Sequence, residues 1–210
     1  MKRELKYIGL SVICGLLFTF FVSAAGYAKQ VHQVLEEKFV RFHVLANSDS
    51  AGDQTLKLKV RDAVLDYLEP ELRASASKQE TMKIIGDNIA GITAAARKAV
   101  ADNGYNYGVS VSLARDYFPT KTYGGVTLPA GVYDACRIVI GKGAGHNWWC
   151  VMFPPLCYVD VTKGQVPEAD KGRLKALLPE EDYSLITGKS KGIEFKFKVV
   201  EIFEELFDSK

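Results

Sequence analysis

The sequence predicts an α+β fold: a largely antiparallel sheet with two helices packed on one face, preceded by an N-terminal signal or transmembrane helix. Three observations support this. An uncharged apolar stretch opens the chain, one strand pattern and two helix patterns follow, and several strand patterns come after the helices. Apolar residues recur every three to four positions in helices and every two in strands. A run of strands after a run of helices is typical of α+β proteins.

The first 28 residues have the pattern of a signal peptide or a membrane anchor. Residues 7–28 carry no charge, and 22 residues rise about 33 Å as a helix, enough to cross a bilayer. Small residues before Ala25 and Ala28 offer two cleavage points. The flank before the apolar stretch is basic, with Lys2, Arg3 and Lys6 against Glu4. Whether the leader is cut or kept, this flank predicts that residues 29–210 lie outside the cytoplasm.

The leader accounts for the whole net charge of the chain. The chain has 27 basic and 25 acidic residues, and removing the leader's three basic residues and one acidic residue leaves 24 of each. A neutral domain lacks the basic surface that binds nucleic acid. We therefore expect no nucleic-acid partner, and membrane contact only through residues 7–28 if the leader is uncleaved.

The exported part begins with a strand and a capped helix. Residues 39–46 alternate as a strand does. Ser50 and Asp53 have the spacing of a capping box, in which the Ser50 hydroxyl accepts from the Asp53 amide and the Asp53 carboxylate reaches back. The apolar face of this helix extends to Leu68, and Pro70 predicts its end.

A second capping box, formed by Ser77 and Glu80, predicts a longer helix that serves as scaffold. Its apolar residues recur at steps of three and four as far as Val100. Asn103 and Gly104 then form a left-handed stop of the kind that commonly follows a helix.

The rest of the chain is predicted to be mainly strands and turns. The glycine-rich segment 141–147 lies between two strand patterns, which predicts a hairpin turn. The predicted segments are, in order, strand 107–114, a turn-rich connection with short edge strands at 118–131, strands 132–140 and 148–153, a loop with a short helix at 161–192, and a strand that turns helical at 193–207. The predicted domain boundaries are 1–28, 29–160 and 161–210.

Three of the four cysteines lie in the exported part, where disulfides persist. Cys150 and Cys157 flank two adjacent prolines that can fold the chain back, so a disulfide between them is one prediction. It would stabilise the fold by about 2–3 kcal/mol through chain entropy. The alternative is that all three, Cys136 included, are buried thiols.

No motif singles out a catalytic or metal site. Cys150 lies near His146 in sequence, and His43 can approach it in space, which would pair a thiol with a base. His146, Cys150 and Cys157 lack the paired spacing of zinc ligands. A glycosidase pair would need two carboxylates, and no spacing selects two from Asp49, Asp53, Asp116 and Asp134. We therefore predict no catalytic residue, no metal ion and no cofactor.

Two features remain as candidate partner-binding residues. Trp148 and Trp149 fall on opposite faces of a strand. One of them can fill the core, and the other is either a partly covered surface aromatic or an interface anchor. His43 either faces solvent or joins Asn47 and Asp49 in a contact patch.

Two long motifs resemble the stage II sporulation protein R family of endospore-forming bacteria. They are "RFHVLANSDSAGDQTLKLKVRDAV" and "FPTKTYGGVTLPAGVYDACRIVIGKGAGHNWWCVMFPPLCYVD". With the export leader, the resemblance extends from the N-terminus to about Asp160, and residues 161–192 contribute little to it. The family leads us to expect an aliphatic residue where this chain has Cys136.

The resemblance implies an exported signal rather than an enzyme. Members of the family are exported from the forespore into the space between the two cells. There they trigger a membrane-embedded aspartic protease that removes the pro-sequence of sigma factor E. We therefore expect that protease as the partner, with the contact patch and the exposed tryptophan as candidate contacts. An exported cell-wall hydrolase acting in the same space is the alternative.

Overall fold

The structure is a computed structural model that describes residues 32–158 and 168–188, together with positions 7, 13, 15, 18–20, 23 and 26. Most of the predicted leader and the strand and helix predicted at 193–207 therefore lie outside the described residues. Within the described part of the chain, no helix has the length and apolar character needed to cross a bilayer. The predicted domain boundaries stay predictions.

A short helical segment at residues 32–38 leads into the sheet. The elements that follow are β1 (Val40–Leu45), α1 (Ala51–Ala74), α2 (Lys78–Asp87), α3 (Ile89–Asp102), β2 (Val109–Phe118), β3 (Lys121–Tyr123), β4 (Val126–Leu128), β5 (Gly131–Ile140), β6 (Asn147–Phe153), a 3₁₀ turn (Leu156–Tyr158), α4 (Glu168–Leu177) and α5 (Glu180–Ile186).

A four-stranded mixed sheet lies at the centre, with the strand order β2-β5-β1-β6, and β3 and β4 form a separate hairpin. β5 pairs antiparallel with β2 and parallel with β1, while β1 pairs antiparallel with β6. The α+β class is confirmed, but the prediction of a largely antiparallel sheet is wrong at the central pair. The reason is that β1 inserts between β5 and β6, and such a non-local arrangement leaves no trace in local sequence patterns.

All six residues of β1 are buried, because this strand is central and both faces of the sheet are covered. Alternation sends Phe42 and Val44 to one face and Arg41 and His43 to the other. The first face packs against α1, α2 and α3 in the larger core.

The opposite face is covered as well. Phe118 and Tyr133 of the sheet join side chains of the β3–β4 hairpin and the 3₁₀ turn, and Leu174 of α4 and Ile186 of α5 complete this second core. The predicted helices do pack on one face, but α4 and α5 cover the other face, which the sequence did not indicate.

The predicted second helix is two helices, α2 and α3, separated at Asn88. The Asn88 side chain donates to the Ile84 carbonyl at 3.0 Å and to a Glu71 carboxylate oxygen at 3.1 Å, and it accepts from the Tyr67 hydroxyl at 3.0 Å. Asparagine side chains that bond to nearby backbone compete with helix continuation. The apolar periodicity continues across this break, which is why the sequence suggests a single helix.

Pro70 lies inside α1, so the prediction that it ends the helix is wrong. A proline in a helix interior costs about 3 kcal/mol because it removes an N–H and crowds the preceding turn. Beyond it, Leu72 is fully buried, and burying a leucine contributes about 1.5–3 kcal/mol. Burial of the last turn therefore offsets most of the cost of the proline.

We expect Leu72→Ala to lower the free energy of unfolding by about 2–5 kcal/mol, because it leaves a cavity in the core. Urea unfolding followed by circular dichroism measures the change. Leu58 is the matched control, since it lies on the same helix but is 39% exposed. If Leu72→Ala costs no more than Leu58→Ala, the turn after Pro70 is not anchored by burial.

Candidate functional site

Residues 141–146, here called the crossing loop, pass over the C-terminal end of β1. They connect β5 to β6, and β1 lies between these two strands. The prediction of a hairpin turn in this segment is therefore wrong. Its glycines allow a tight path, and Gly141 and Gly143 adopt positive φ values of 58° and 62°.

The crossing loop bonds to the polar residues that follow β1. The Gly145 amide donates to the Ala46 carbonyl at 3.0 Å, and the Ala144 amide donates to the Asn47 carbonyl at 3.3 Å. The Asn47 side-chain oxygen accepts from the Lys142 amide at 3.0 Å. Asn47 thus holds the loop through both its backbone and its side chain.

Asp53 is the centre of the contacts on the other side of Asn47. Its carboxylate accepts from the Asn47 amide group at 2.8 Å and from the Ser48 hydroxyl at 2.5 Å. These bonds, the one from Ser48 first, hold the pKa of Asp53 below its usual value. Ser50 is the N-cap of α1, and its hydroxyl accepts from the Asp53 amide at 3.2 Å. The carboxylate does not reach back as expected, because Ser48 Oγ takes the Ser50 amide.

Asp49 and His146 form an exposed pair at the end of the crossing loop. The His146 amide donates to Asp49 Oδ1 at 2.5 Å, and the His146 ring contacts the same oxygen. The backbone bond, followed by the ring contact, lowers the pKa of Asp49. Beneath the pair, buried Lys57 donates to the His146 carbonyl at 3.0 Å and to Gln54 Oε1 at 2.6 Å, and burial lowers the pKa of this lysine.

The second predicted cap lies away from this region. Ser77 is the N-cap of α2 and accepts from the Glu80 amide at 3.1 Å. The Glu80 carboxylate accepts from the Ala76 amide at 2.8 Å rather than from Ser77. These residues start a scaffold helix and have no part in the candidate site.

The two tryptophans lie on opposite faces of β6. Trp148 packs edge-on against Phe42 in the larger core, and the Arg61 guanidinium lies 4.8 Å from the centre of its ring. Trp149 stacks on His43, with 5.9 Å between ring centres, and the Lys121 ammonium lies 4.7 Å from the Trp149 ring. Both indoles are half-buried, so each is partly occupied by contacts within the protein.

His43 belongs to a row of side chains across the second face of the sheet. It lies opposite Arg137 of β5 and Trp149 of β6. Its Nδ1 is 2.6 Å from an Asp116 carboxylate oxygen. Only 4% of His43 is exposed. The structure thus separates His43 from Asn47 and Asp49, and it corrects the expectation that the three form one surface patch.

Arg41 is a residue that sequence reasoning missed. It is fully buried, and its guanidinium lies between the rings of Phe118 and Tyr133. The available signal was a charged side chain in a strand whose other residues, apart from His43, are apolar. Such a residue needs internal partners, because a buried unpaired charge is costly.

Cys136, Cys150 and Cys157 are free thiols in the structure. Cys150 and Cys157 contact each other through their side chains, and the Cys157 thiol also lies 3.0 Å from the Val151 carbonyl oxygen. The disulfide between them stays a prediction. Cys136 is fully buried in the core, where burial raises its pKa to about 12.

The catalytic alternatives find little support among the described residues. Cys150 packs in the larger core while His43 faces the other side of the sheet. No group of three His, Cys, Asp or Glu side chains comes together there as metal ligands. Each candidate carboxylate has an internal partner, namely His146 for Asp49, Ser48 for Asp53, His43 for Asp116 and Lys78 for Asp134.

We expect Gly145→Ala to destabilise the fold by more than about 1 kcal/mol, because an added Cβ would lie 2.2 Å from the Ser48 carbonyl oxygen. Thermal unfolding measures the change. The control is Gly172→Ala, where no atom lies within 4 Å of the new Cβ and helix propensity favours alanine. Equal melting temperatures for Gly145→Ala and the parent would show that the crossing loop is not held against β1.

Comparison with known proteins gives two matches. The model of the family described as Stage II sporulation protein R matches residues 36–163, which include the crossing loop and the six strands that the structure describes. Stage II sporulation protein R of Bacillus subtilis (strain 168) is 36% identical over 189 residues, which covers 83% of this chain and 84% of that protein. No solved structure matches the chain. The chain therefore belongs to the stage II sporulation protein R family.

Proposed function

We propose that this sporulation protein is an exported, non-catalytic signal that activates a membrane-embedded aspartic protease. The protease then processes pro-sigma-E in the mother cell. The observation that carries the proposal is family membership, with 36% identity to the Bacillus subtilis protein over 83% of the chain. The internal partners of the candidate carboxylates and the burial of Cys150 are compatible with a role in binding.

The proposed site of action is the space between the forespore and the mother cell. The basic flank and the uncharged residues 7–28 support export across a membrane, and the forespore as its origin is what family membership suggests. The protein would then be secreted, or anchored by the same segment if it is uncleaved. In either form, residues 29–210 would meet the part of the protease that lies outside the cytoplasm.

The proposed contact surface is the exposed pair at the end of the crossing loop. The side chains of Asp49 and His146 are 54% and 80% exposed. His43 is left out of this surface because it is buried. To activate the protease, the protein must bind its active state more tightly than its inactive state, and a difference of about 1.4 kcal/mol shifts that equilibrium tenfold.

Reconstitution in a non-sporulating host tests the proposal. The full chain and a version without residues 1–28 are each co-expressed with the protease and its precursor substrate, and conversion of the precursor is followed on a gel. We expect conversion only with the leader present, because the protease is reached from outside the cytoplasm. No conversion despite confirmed export would contradict direct activation and favour the wall-hydrolase alternative. Hydrolase activity is then measured as turnover of purified peptidoglycan.

In the same assay, Asp49→Ala should reduce conversion at least tenfold, because it removes an exposed carboxylate and releases the His146 ring. The matched control is Asp62→Ala, which removes a carboxylate that is 55% exposed and paired with Arg61 on α1. Export and melting temperature are measured for both variants. Normal conversion by a folded, exported Asp49→Ala protein would remove this pair from the contact surface.

A further inference from the structure

The two outer strands of the sheet differ in how well their edges are covered. β6 is covered: its last four residues are buried, the Trp149 carbonyl accepts from the Tyr123 hydroxyl at 3.2 Å, and the Val151 carbonyl lies against the Cys157 thiol. The other outer strand, β2, is ten residues long and exposes several of its side chains. An open edge of this length is a template for pairing with another strand.

The pairing of β2 with β5 shows which backbone groups of β2 point outward. The register is constant from Val109 to Phe118. The Gly141 amide donates to the Gly108 carbonyl at 2.8 Å. The backbone amides and carbonyls of Gly108 and of every second residue after it therefore point toward β5. Alternation in an antiparallel ladder then places the amides and carbonyls of Val111, Leu113 and Arg115 on the outer edge. In the described part of the chain, no other strand pairs with this edge.

The two faces beside this edge differ in chemistry. On the helix side, Val111 and Leu113 are half-buried and extend the larger core to the edge. On the other side, exposed Ser112 lies opposite Arg137 of β5. Because serine is small, it leaves space above the strand through which the arginine can extend toward the edge.

Arg137 places a positive charge near this edge. Its side chain is 40% exposed, and its Nε atom is buried without a hydrogen-bond partner. This Nε forms a long ion pair with Asp116 at 3.4 Å, and the same carboxylate oxygen lies 2.6 Å from His43 Nδ1. Guanidinium groups bind carboxylates through paired, charge-assisted hydrogen bonds. An incoming acidic side chain opposite Ser112 would pair with the exposed part of the Arg137 side chain.

We propose that the outer edge of β2 binds an extended segment of the partner by strand addition. Opposite Ser112, the segment has an acidic side chain that points toward Arg137. On the other face of the sheet, its apolar side chains lie opposite Val111 and Leu113. Main-chain bonds give affinity in this mode of recognition, and alternate side chains give specificity. That the segment belongs to the protease rests on the proposed function.

A second copy of this chain fits the edge less well. Its own β2 carries Ser110, Ser112 and Ala114 on the face that would lie above Arg137. The nearest acidic residue on that face, Asp116, is already bound to His43. Self-pairing would therefore bring no additional carboxylate to Arg137.

The test uses the full chain and a fluorescein-labelled peptide, Thr-Val-Glu-Val-Thr, with versions in which the glutamate is replaced by glutamine or lysine. Fluorescence polarisation measures affinity, and hydrogen exchange with mass spectrometry measures protection of residues 109–118. We expect the glutamate peptide to bind at least tenfold more tightly than the lysine peptide. We also expect it to slow exchange in residues 109–118.

Two substitutions locate the contact. Val111→Lys places a charge on the apolar side of the edge and should reduce peptide binding at least tenfold, whereas Leu58→Lys, at an exposed leucine on α1, should not. Arg137→Gln should make the glutamate and glutamine peptides bind equally. Arg97→Gln, at an exposed arginine on α3, should preserve the difference between them.

Several results would overturn the proposal. One is equal binding of the three peptides to the unsubstituted chain, or no protection of residues 109–118. Protection that is complete without peptide would assign the edge to another segment of this chain, and protection that rises with protein concentration would assign it to a second copy.

If the Val111→Lys protein no longer binds the peptide but still supports precursor conversion, the edge is not the protease contact and the proposed function stands. If the unsubstituted chain binds the peptide but supports no conversion, the proposed function fails instead.

Discussion

The fold depends on the burial of β1 on both faces, and above all on the way it accommodates Arg41. A buried charge is tolerated only where polar or aromatic groups replace water. The Nε of Arg41 donates to the Cys150 carbonyl at 3.1 Å, and one of its Nη atoms donates to the Tyr123 hydroxyl at 3.0 Å. The ring centres of Phe118 and Tyr133 lie 4.4 Å and 4.9 Å from the guanidinium carbon. These partners come from four different strands, so the β3–β4 hairpin and three strands of the sheet are all positioned around one side chain of β1.

The central position of β1 also explains the polar cluster that follows it. Because β1 separates β5 from β6, the connection between those strands must cross its end, and the crossing loop brings several backbone amides to that point. The side chains of Asn47 and Asp49 accept hydrogen bonds from two of them, the amides of Lys142 and His146. Asp53 binds the side chain of Asn47 while its own amide is capped by Ser50. The cluster therefore joins the sheet, the first helix and the crossing loop.

Local features of this fold are predictable from sequence, and non-local ones are not. The helix starts after Ser50 and Ser77 are predictable because capping involves residues within three positions of each other. The helix beyond Pro70 depends on burial of a leucine against distant elements, and the break at Asn88 depends on side chains of α1 as well as its own. The location of His43 depends on strand order, since pairing with β5 and β6 brings it to Arg137 and Trp149. Strand order is therefore the feature of this fold that is hardest to predict from a single sequence, because it depends on non-local pairing.

The crossing loop lies at the end of the sheet where β2 begins. Gly141, the first residue of the crossing loop, bonds to Gly108, the residue before β2. The exposed pair of Asp49 and His146 thus lies at the end of the sheet where β2 begins. The Asp49 carboxylate already accepts from His146 within the protein. A partner therefore gains less there than at the outer backbone groups of β2, which bond to no other strand in the described part of the chain. A partner that adds a strand along β2 can therefore derive its affinity from the edge and use the Asp49 pair for selection.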